Sequence, residues 1–258
     1  MGRFLFHPTP RIGEVIVLSP EETHHLQVQR VPLRASVLIG NGRGGLYRGV
    51  LLERKDKHAL VLVEEKVEDA VPSFFLSVWQ GFLRSPARMD WMIEKLVEIG
   101  VTEIGFFPAE RSVKERVSKD RMARWEKIVV SACKQSGRTW FPAVRVFESW
   151  EDFLVGLSGK KQRVFLADAS CKEQFLEVLQ REEVGGSAAL IVGPEGDFSE
   201  REKEALSKMG IYPVSLGRRI LRSETAALFG ASLLVAFMEG NHASRCENPR
   251  VQGEPGRK

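Results

Sequence analysis

The hydrophobic rhythm of the chain changes near residue 73. Before it, Val15–Leu18, Val37–Ile39, Leu46–Leu52 and Ala59–Glu64 are short apolar runs that predict strands. Asn41-Gly42-Arg43-Gly44-Gly45 separates two of them as a glycine-rich hairpin connection, so this part predicts a small β-barrel. Lys66–Ser73, with its acids, Val71 and Pro72, reads as a linker. Strand and helix then alternate. Phe74–Trp79 predicts a strand, and Arg88–Ile99 a helix with Met89, Met92, Ile93 and Leu96 at helical spacing. Trp91 goes with the two methionines as core or helix-packing residues rather than a base-stacking platform. Ile104–Phe107 predicts a strand, the region near Lys119–Gln135 a helix, Val144–Phe147 a strand, Trp150 onward a short helix, and Val164–Ala167 a strand. Such alternation predicts an α/β unit with a parallel sheet and helices on both faces.

Two later strands end in loops of unusual chemistry. Leu190–Val192 stops at Gly193-Pro194-Glu195-Gly196, and Tyr212–Leu216 stops at Gly217. Ser199 followed by Glu202 is a capping-box signature for a helix to about Met209. Loops at the carboxyl ends of parallel strands are where ligands bind, which predicts one shared pocket. Gly193 and Gly196 allow backbone to approach a ligand, and Pro194 fixes a torsion between them. Arg218, Arg219 and Arg222 flank apolar Ile220 and Leu221, and an Ala-rich helix follows. By spacing alone, the same residues equally describe a Pro-Gly turn and a solvated basic loop. A nucleotide hydrolase is the weaker alternative, because no lysine follows the glycines at phosphate-loop spacing.

Composition narrows the class. A chain of 258 residues with 43% hydrophobic and 28% charged residues predicts a soluble protein of one large and one small domain. No run approaches the roughly eighteen apolar residues of a membrane span. The first residues, MGRFLFHPTPR, lack a secretory signal pattern, so the expected location is the cytoplasm. Cys133, Cys171 and Cys246 are too few and too scattered for a disulfide framework or a zinc site, and no metal is expected. The net charge of +4 is modest, so nucleic-acid binding needs local patches. Arg3, Arg11, Arg30, Arg34, Arg43, Arg48, Arg54, Lys55 and Lys57 lie along the small unit, as a solvated face or as an RNA platform. Arg84 follows the first strand of the large domain, at a carboxyl end. Gln135-Ser136-Gly137-Arg138 closes a helix as a glycine cap. His24 and His25 precede an apolar turn without metal-ligand spacing.

GPEGDFSEREKEAL from Gly193 and SLGRRILRSETA from Ser215 resemble the cofactor loops of the RsmE family. These are 16S ribosomal RNA uridine-N3 methyltransferases of the knotted SPOUT superfamily. EKLVEIGVTEI (94–104), ERS (110–112), KQSGR (134–138) and HHLQVQRV (24–31) fall in the family's order, so the resemblance spans roughly residues 3 to 240. It implies a PUA-like RNA-binding β-barrel over 1–71 and a SPOUT methyltransferase domain with a trefoil knot over 73–240; residues 241–258, polar and rich in Gly, Pro and Arg, predict a flexible tail. It implies S-adenosyl-L-methionine held by Leu166, Gly193, Pro194, Glu195, Gly196, Leu216, Gly217, Ile220 and Leu221. Arg222 and Glu195 become the catalytic candidates, and Arg3, His25, Arg30, Arg43, Arg84, Gln135 and Arg138 the RNA-binding ones. The expected partners are 16S ribosomal RNA or the assembled small subunit, and a second copy in a homodimer. Whether Glu195, Glu224 or water takes the N3 proton stays open, as do another RNA substrate and a non-catalytic RNA-binding role. The chain departs from the family pattern at Asp197, usually a second glycine, and at Lys134, usually an acid. Ala35-Ser36 and Asn41-Gly42 replace Gly-Asp and Asp-Gly, leaving the contacts of those two loops in question.

Overall fold

The computed structural model describes residues 4–113, 116–159, 162–182 and 184–247. The chain opens with β1 (Phe4–Phe6), β2 (Val15–Val17), α1 (Pro20–Val28), β3 (Ser36–Gly40), β4 (Gly45–Arg54) and β5 (Ala59–Asp69). There follow β6 (Phe75–Gly81), α2 (Pro86–Ile99), β7 (Glu103–Phe107), α3 (Lys119–Ser136), β8 (Ala143–Val146) and α4 (Trp150–Ser158). The last elements are β9 (Arg163–Ala167), α5 (Phe175–Arg181), β10 (Ser187–Val192), α6 (Glu200–Lys208), β11 (Tyr212–Val214) and α7 (Ser223–Glu247). Contacts divide the chain into two units. One comprises the chain up to Pro72 with Ile93–Glu98 and Val117–Val144; the other comprises Ser73–Met92, Ile99–Arg116 and the chain from Arg145 onward.

The first unit is built on a five-stranded sheet of order β1-β3-β4-β5-β2, with β1 and β3 parallel and the other pairs antiparallel. Register shifts along β4 and β5 bend the two long strands, which lets the sheet curve over a core of Leu5, Ile16, Leu26, Ile39, Leu51 and Val61. Helix α1 has few apolar residues, and the apolar pattern missed it. Its start is nonetheless written in the chain: Ser19 Oγ accepts from Glu22 N, Pro20 follows the cap, and Glu21 and Glu22 fill the first turn. The expected linker begins later than its composition suggests, because Lys66, Glu68 and Asp69 still pair with β4.

Helix α3 belongs to this unit by contact. Lys134, at the departure from the family's acid, pairs with the buried Glu22 at 2.8 Å, and Glu22 also accepts from Phe6 N. The glycine-rich connection docks on the segment after α3. Gly44 N donates to Thr139 O, Phe141 N donates to Gly42 O, and a Cβ at Gly42 would lie 2.8 Å from the Phe141 ring. Asn41 Oδ1 accepts from Arg43 N and Gly45 N, the service an aspartate would give at that position.

The second unit carries a six-stranded sheet of order β11-β9-β10-β6-β7-β8, with every pair from β11 through β7 parallel. Strand β10 enters between β6 and β9, and Ala188–Val192 is buried throughout, as a central parallel strand requires. On one side, Phe107 stacks on Phe153 with centroids 4.0 Å apart, and Phe198 stacks on Phe107 at 6.0 Å. Trp91 corrects the sequence reading: Met89 and Met92 are fully buried, whereas Trp91, on another face of α2, is 46% exposed. Helix α5 was missed because its seven residues lack a side-chain cap. Helix α7 continues past Gly240 to Glu247, so the first part of the expected tail is helical; no proline occurs there before Pro249. The rest, 248–258, lies outside the described residues. Among the described residues, no helix is long and apolar enough to cross a membrane.

Candidate active site

A cavity of about 450 Å³ opens at the carboxyl ends of β9, β10 and β11. Its walls are 167–169 at the end of β9, 192–195 and 197 at the end of β10, 216–217 and 219–223 leading into α7, together with Ala226 and Arg88. Gly193, Pro194, Glu195, Leu216, Gly217, Ile220, Leu221 and Arg222 thus meet at one site, although about 20 residues separate the two loops in sequence. Gly217 stands at φ 118 with open space where its Cβ would be, so only glycine suits that wall.

Two expected lining residues lie elsewhere. Leu166 is buried in the core cluster that includes Phe107, Phe153 and Ile191, while its neighbour Ala167 lines the cavity. Strand alternation explains the swap. Gly196 is not in the cavity wall. Its missing Cβ makes room for Arg111, whose Cβ and carbonyl oxygen would both lie 2.9 Å away, so loop packing requires a glycine there.

The loop after β10 is held from several directions. Both Glu195 oxygens accept from Arg84 N, at 3.1 and 3.2 Å. Arg88 lies 4.0 Å from Glu195 and 3.5 Å from Glu224, bridging the two carboxylates considered as bases. Arg111 donates to Gly196 O and Phe198 O, and its neighbour Glu110 donates through N to Glu202 Oε1. The other Glu202 oxygen completes the capping box with Ser199. From below, Gln80 Nε2 donates to Gly193 O at 2.9 Å and to Ser223 Oγ at 2.7 Å, and Ser223 Oγ donates to Gly193 O. Gln80 therefore joins β6, the loop after β10 and the start of α7.

Part of the charge at the site is closely paired. Burial raises the Asp168 carboxyl, but hydrogen bonds from Ser170 and the Lys203 ammonium outweigh it and hold the group below its ordinary range. Glu224 is buried, and its Oε2 has no hydrogen-bond partner among the described residues. Arg222 is exposed at the rim, and its guanidinium has no partner among the described residues. Arg88, Gln80, Asp168 and Lys203 escaped the sequence reading because each is an isolated polar residue in an element whose pattern reports only packing. The position of Asp168 just past a strand's carboxyl end was the one available signal.

Of the RNA candidates, Arg3 lies outside the described residues. Arg84 is exposed beside the loop that its N–H holds. In the first unit, Arg30 and Arg43 are exposed without side-chain partners among the described residues, and Gln135 is exposed. Arg48 and Lys55 pair with Glu65 and Glu53, and Arg54 donates to Leu26 O and Val31 O, so those cations are engaged. His25 is half-buried; burial, then the Lys134 ammonium, hold its imidazole below the ordinary value and favour the neutral form. Arg138 follows the Gly137 cap and donates to Val97 O at 2.7 Å. Cys133 is buried on α3, and burial pushes its thiol up to about 12. Among the described residues, no group of three or more metal-ligating side chains occurs.

Comparison with known proteins agrees with this geometry. Residues 72–235 match the RNA methyltransferase domain family. A Synechocystis protein named ribosomal RNA small subunit methyltransferase E is 27% identical over 92% of this chain and 78% of its own length. Its Bacillus subtilis namesake is 29% identical over 84% and 88%. Among solved structures, the Neisseria gonorrhoeae ribosomal RNA small subunit methyltransferase E bound to S-adenosyl methionine superposes with a TM-score of 0.78, at 26% identity over 92% of this chain and 97% of that one. A putative Legionella pneumophila methyltransferase in complex with the same cofactor reaches 0.80, at 26% identity over 92% and 98%. With the matched region taking in the whole cavity and both of its loops, the chain belongs to the RNA methyltransferase family.

Proposed function

We propose that this chain transfers the methyl group of S-adenosylmethionine to N3 of a uridine in 16S ribosomal RNA, acting in the cytoplasm as a homodimer on the RNA or the assembled small subunit. The observation that carries the reading is the cavity at the carboxyl ends of β9, β10 and β11. Its volume of about 450 Å³ falls in the range of small-molecule sites, and its walls mix apolar Leu216, Ile220, Leu221 and Ala226 with free backbone and a few charges. That composition suits a cofactor with a flat base, a ribose and a charged tail. Gly193, Pro194, Leu216, Gly217 and Leu221 would hold it. The cofactor supplies an activated methyl group, so the protein's task is alignment and charge stabilisation.

Arg222 is the residue assigned to the developing charge on the uracil oxygens, because its guanidinium is exposed at the rim and uncommitted. Glu195 is assigned a holding role. Both of its oxygens accept from Arg84 N and Arg88 stands beside it, so the carboxylate is committed to tying its loop to the start of the segment after β6. Arg30 and Arg43 in the first unit, and Arg84 in the second, offer cations to the RNA backbone.

The test is to delete the gene and map methylated nucleosides across ribosomal and transfer RNA. Loss of one 3-methyluridine from 16S RNA, restored by the parent chain and not by Arg222→Ala, supports the reading. Unchanged 16S modification, or a loss confined to another RNA, rejects it in favour of a different substrate. A cavity variant that restores the phenotype without restoring methylation points to a non-catalytic RNA-binding role.

A further inference from the structure

Lys203 lies on α6 and does not line the cavity, yet its ammonium is 3.0 Å from Asp197 Oδ2 and 3.1 Å from Asp168 Oδ2. Those two carboxylates stand on the loops that leave neighbouring strands β10 and β9, and both line the cavity. Asp168 is fixed further by its N–H to Val214 O and by accepting from Ser170 N and Oγ. One side chain thus reaches the mouths of two adjacent strands.

Asp197 carries a second signal. It stands at φ 59, a left-handed conformation that glycine adopts freely and aspartate adopts at a cost. Strained backbone persists where its surroundings over-determine it. Here the Lys203 contact supplies an interaction that glycine has no atoms to make. The Asp168 side chain is 10% exposed and the Asp197 side chain 56%, so the first pair is well shielded and the second is weakened by solvent.

We propose that Lys203 is a positioning residue that sets the width of the cofactor crevice by clamping the loop after β9 to the loop after β10 through Asp168 and Asp197. The proposal rests on reading this cavity as the S-adenosylmethionine site. The clamp holds the crevice walls at their ligand-bound spacing before the ligand arrives, so binding orders less of the protein. It also separates stability from affinity. Glycine at 197 relieves the backbone while releasing the loop, and the two quantities move in opposite directions. A residue serving only the fold would move them together.

The test uses the full chain. S-adenosylmethionine affinity is measured by calorimetry for the parent, Lys203→Met, Lys203→Arg and Asp197→Gly. Thermal unfolding and ligand-free amide exchange over 193–198 are measured on the same samples. Asp197→Gly is expected to weaken binding about threefold, as loss of a half-exposed pair implies, with a thermal midpoint at or above the parent's. Lys203→Met, which loses both pairs, should weaken binding on the order of tenfold. Arginine should recover most of that loss, and exchange over 193–198 should quicken in both weakened variants. Parent-like affinity and exchange in folded Lys203→Met and Asp197→Gly overturn the proposal. So does a loss of affinity in Asp197→Gly that only tracks lost stability. A parent chain that binds no S-adenosylmethionine overturns the cofactor reading itself, and this proposal with it.

Discussion

Arg222 and Arg88 occupy the same cavity wall in different states. Arg88 is spent on two carboxylates, at 4.0 Å from Glu195 and 3.5 Å from Glu224, while Arg222 is free at the rim. Their substitutions should therefore fail differently. Arg222→Ala should lower single-turnover rates at saturating cofactor and RNA by about a hundredfold or more, the usual cost of one preorganised donor. Lysine should restore only part of that, since a point charge does not reproduce a planar two-donor contact. Cofactor affinity and thermal stability should stay near the parent's. Arg88→Ala should instead leave the buried Glu224 without its cation, weakening stability by about 1–3 kcal/mol and cofactor affinity along with it. A normal saturated rate for Arg222→Ala would return that residue to scaffolding. At this scale the sequence was informative where chemistry clusters: GPEG and RRILR declared themselves because glycine, proline and arginine crowd into a few positions. Arg88, Gln80 and Lys203 were silent because each has a partner more than 30 residues away in the chain, and such partnerships exist only in the fold.

The loop after β10 behaves as an element in its own right, tied down by Arg111, Arg84, Gln80 and Lys203. Gly196 is one point of close packing in it, with the Arg111 backbone 2.9 Å from a Cβ it does not have. Gly196→Val should therefore lower thermal stability and cofactor affinity together, and even Gly196→Ala should show a smaller loss of both. Calorimetry paired with thermal unfolding checks this; lost affinity at full stability would mean that the residue faces the ligand after all. The pH dependence follows from Asp168. Burial raises its carboxyl, yet Ser170 and Lys203 bring it below the ordinary 3.8. A depressed carboxyl stabilises the fold above its unfolded value and loses that contribution as pH falls through the folded one. Lys203 moves the other way: burial lowers it, but Asp197 and Asp168 raise it above the ordinary 10.5, so its share is lost only as pH rises through that higher value. Protection of the amides over 193–198, taken relative to their intrinsic rates, should hold through the neutral range and fall as pH drops below the ordinary 3.8 through the lowered Asp168 value. Strands and helices of the second unit were legible because parallel strands run apolar and amphipathic helices repeat. Helix α1 was not, because its capping residues were present without an apolar stripe.

The whole molecule combines a cofactor cavity in one unit with exposed cations in the other. Arg30 and Arg43 are uncommitted, whereas Arg48, Arg54 and Lys55 are engaged. Replacing Arg30 and Arg43 together by alanine should weaken RNA association and flatten its salt dependence by about two units of slope, with cofactor affinity unchanged. Equal salt slopes for variant and parent would take both arginines off the RNA face. Organisation into a small β unit and a parallel α/β unit was legible from the change of rhythm near residue 73. The return of α3 to the first unit was not, because it depends on Lys134 meeting Glu22 and on the glycine loop meeting Phe141. The central claim is chemical, and one measurement reaches it directly. The purified chain is incubated with small ribosomal subunits that lack the modification and with S-adenosylmethionine carrying an isotopic methyl group, and the RNA is digested to nucleosides for mass spectrometry. The account predicts label in 3-methyluridine at a single position of the 16S RNA, lost with Arg222→Ala. Label on a ribose, on another base, or nowhere in the small-subunit RNA would contradict it.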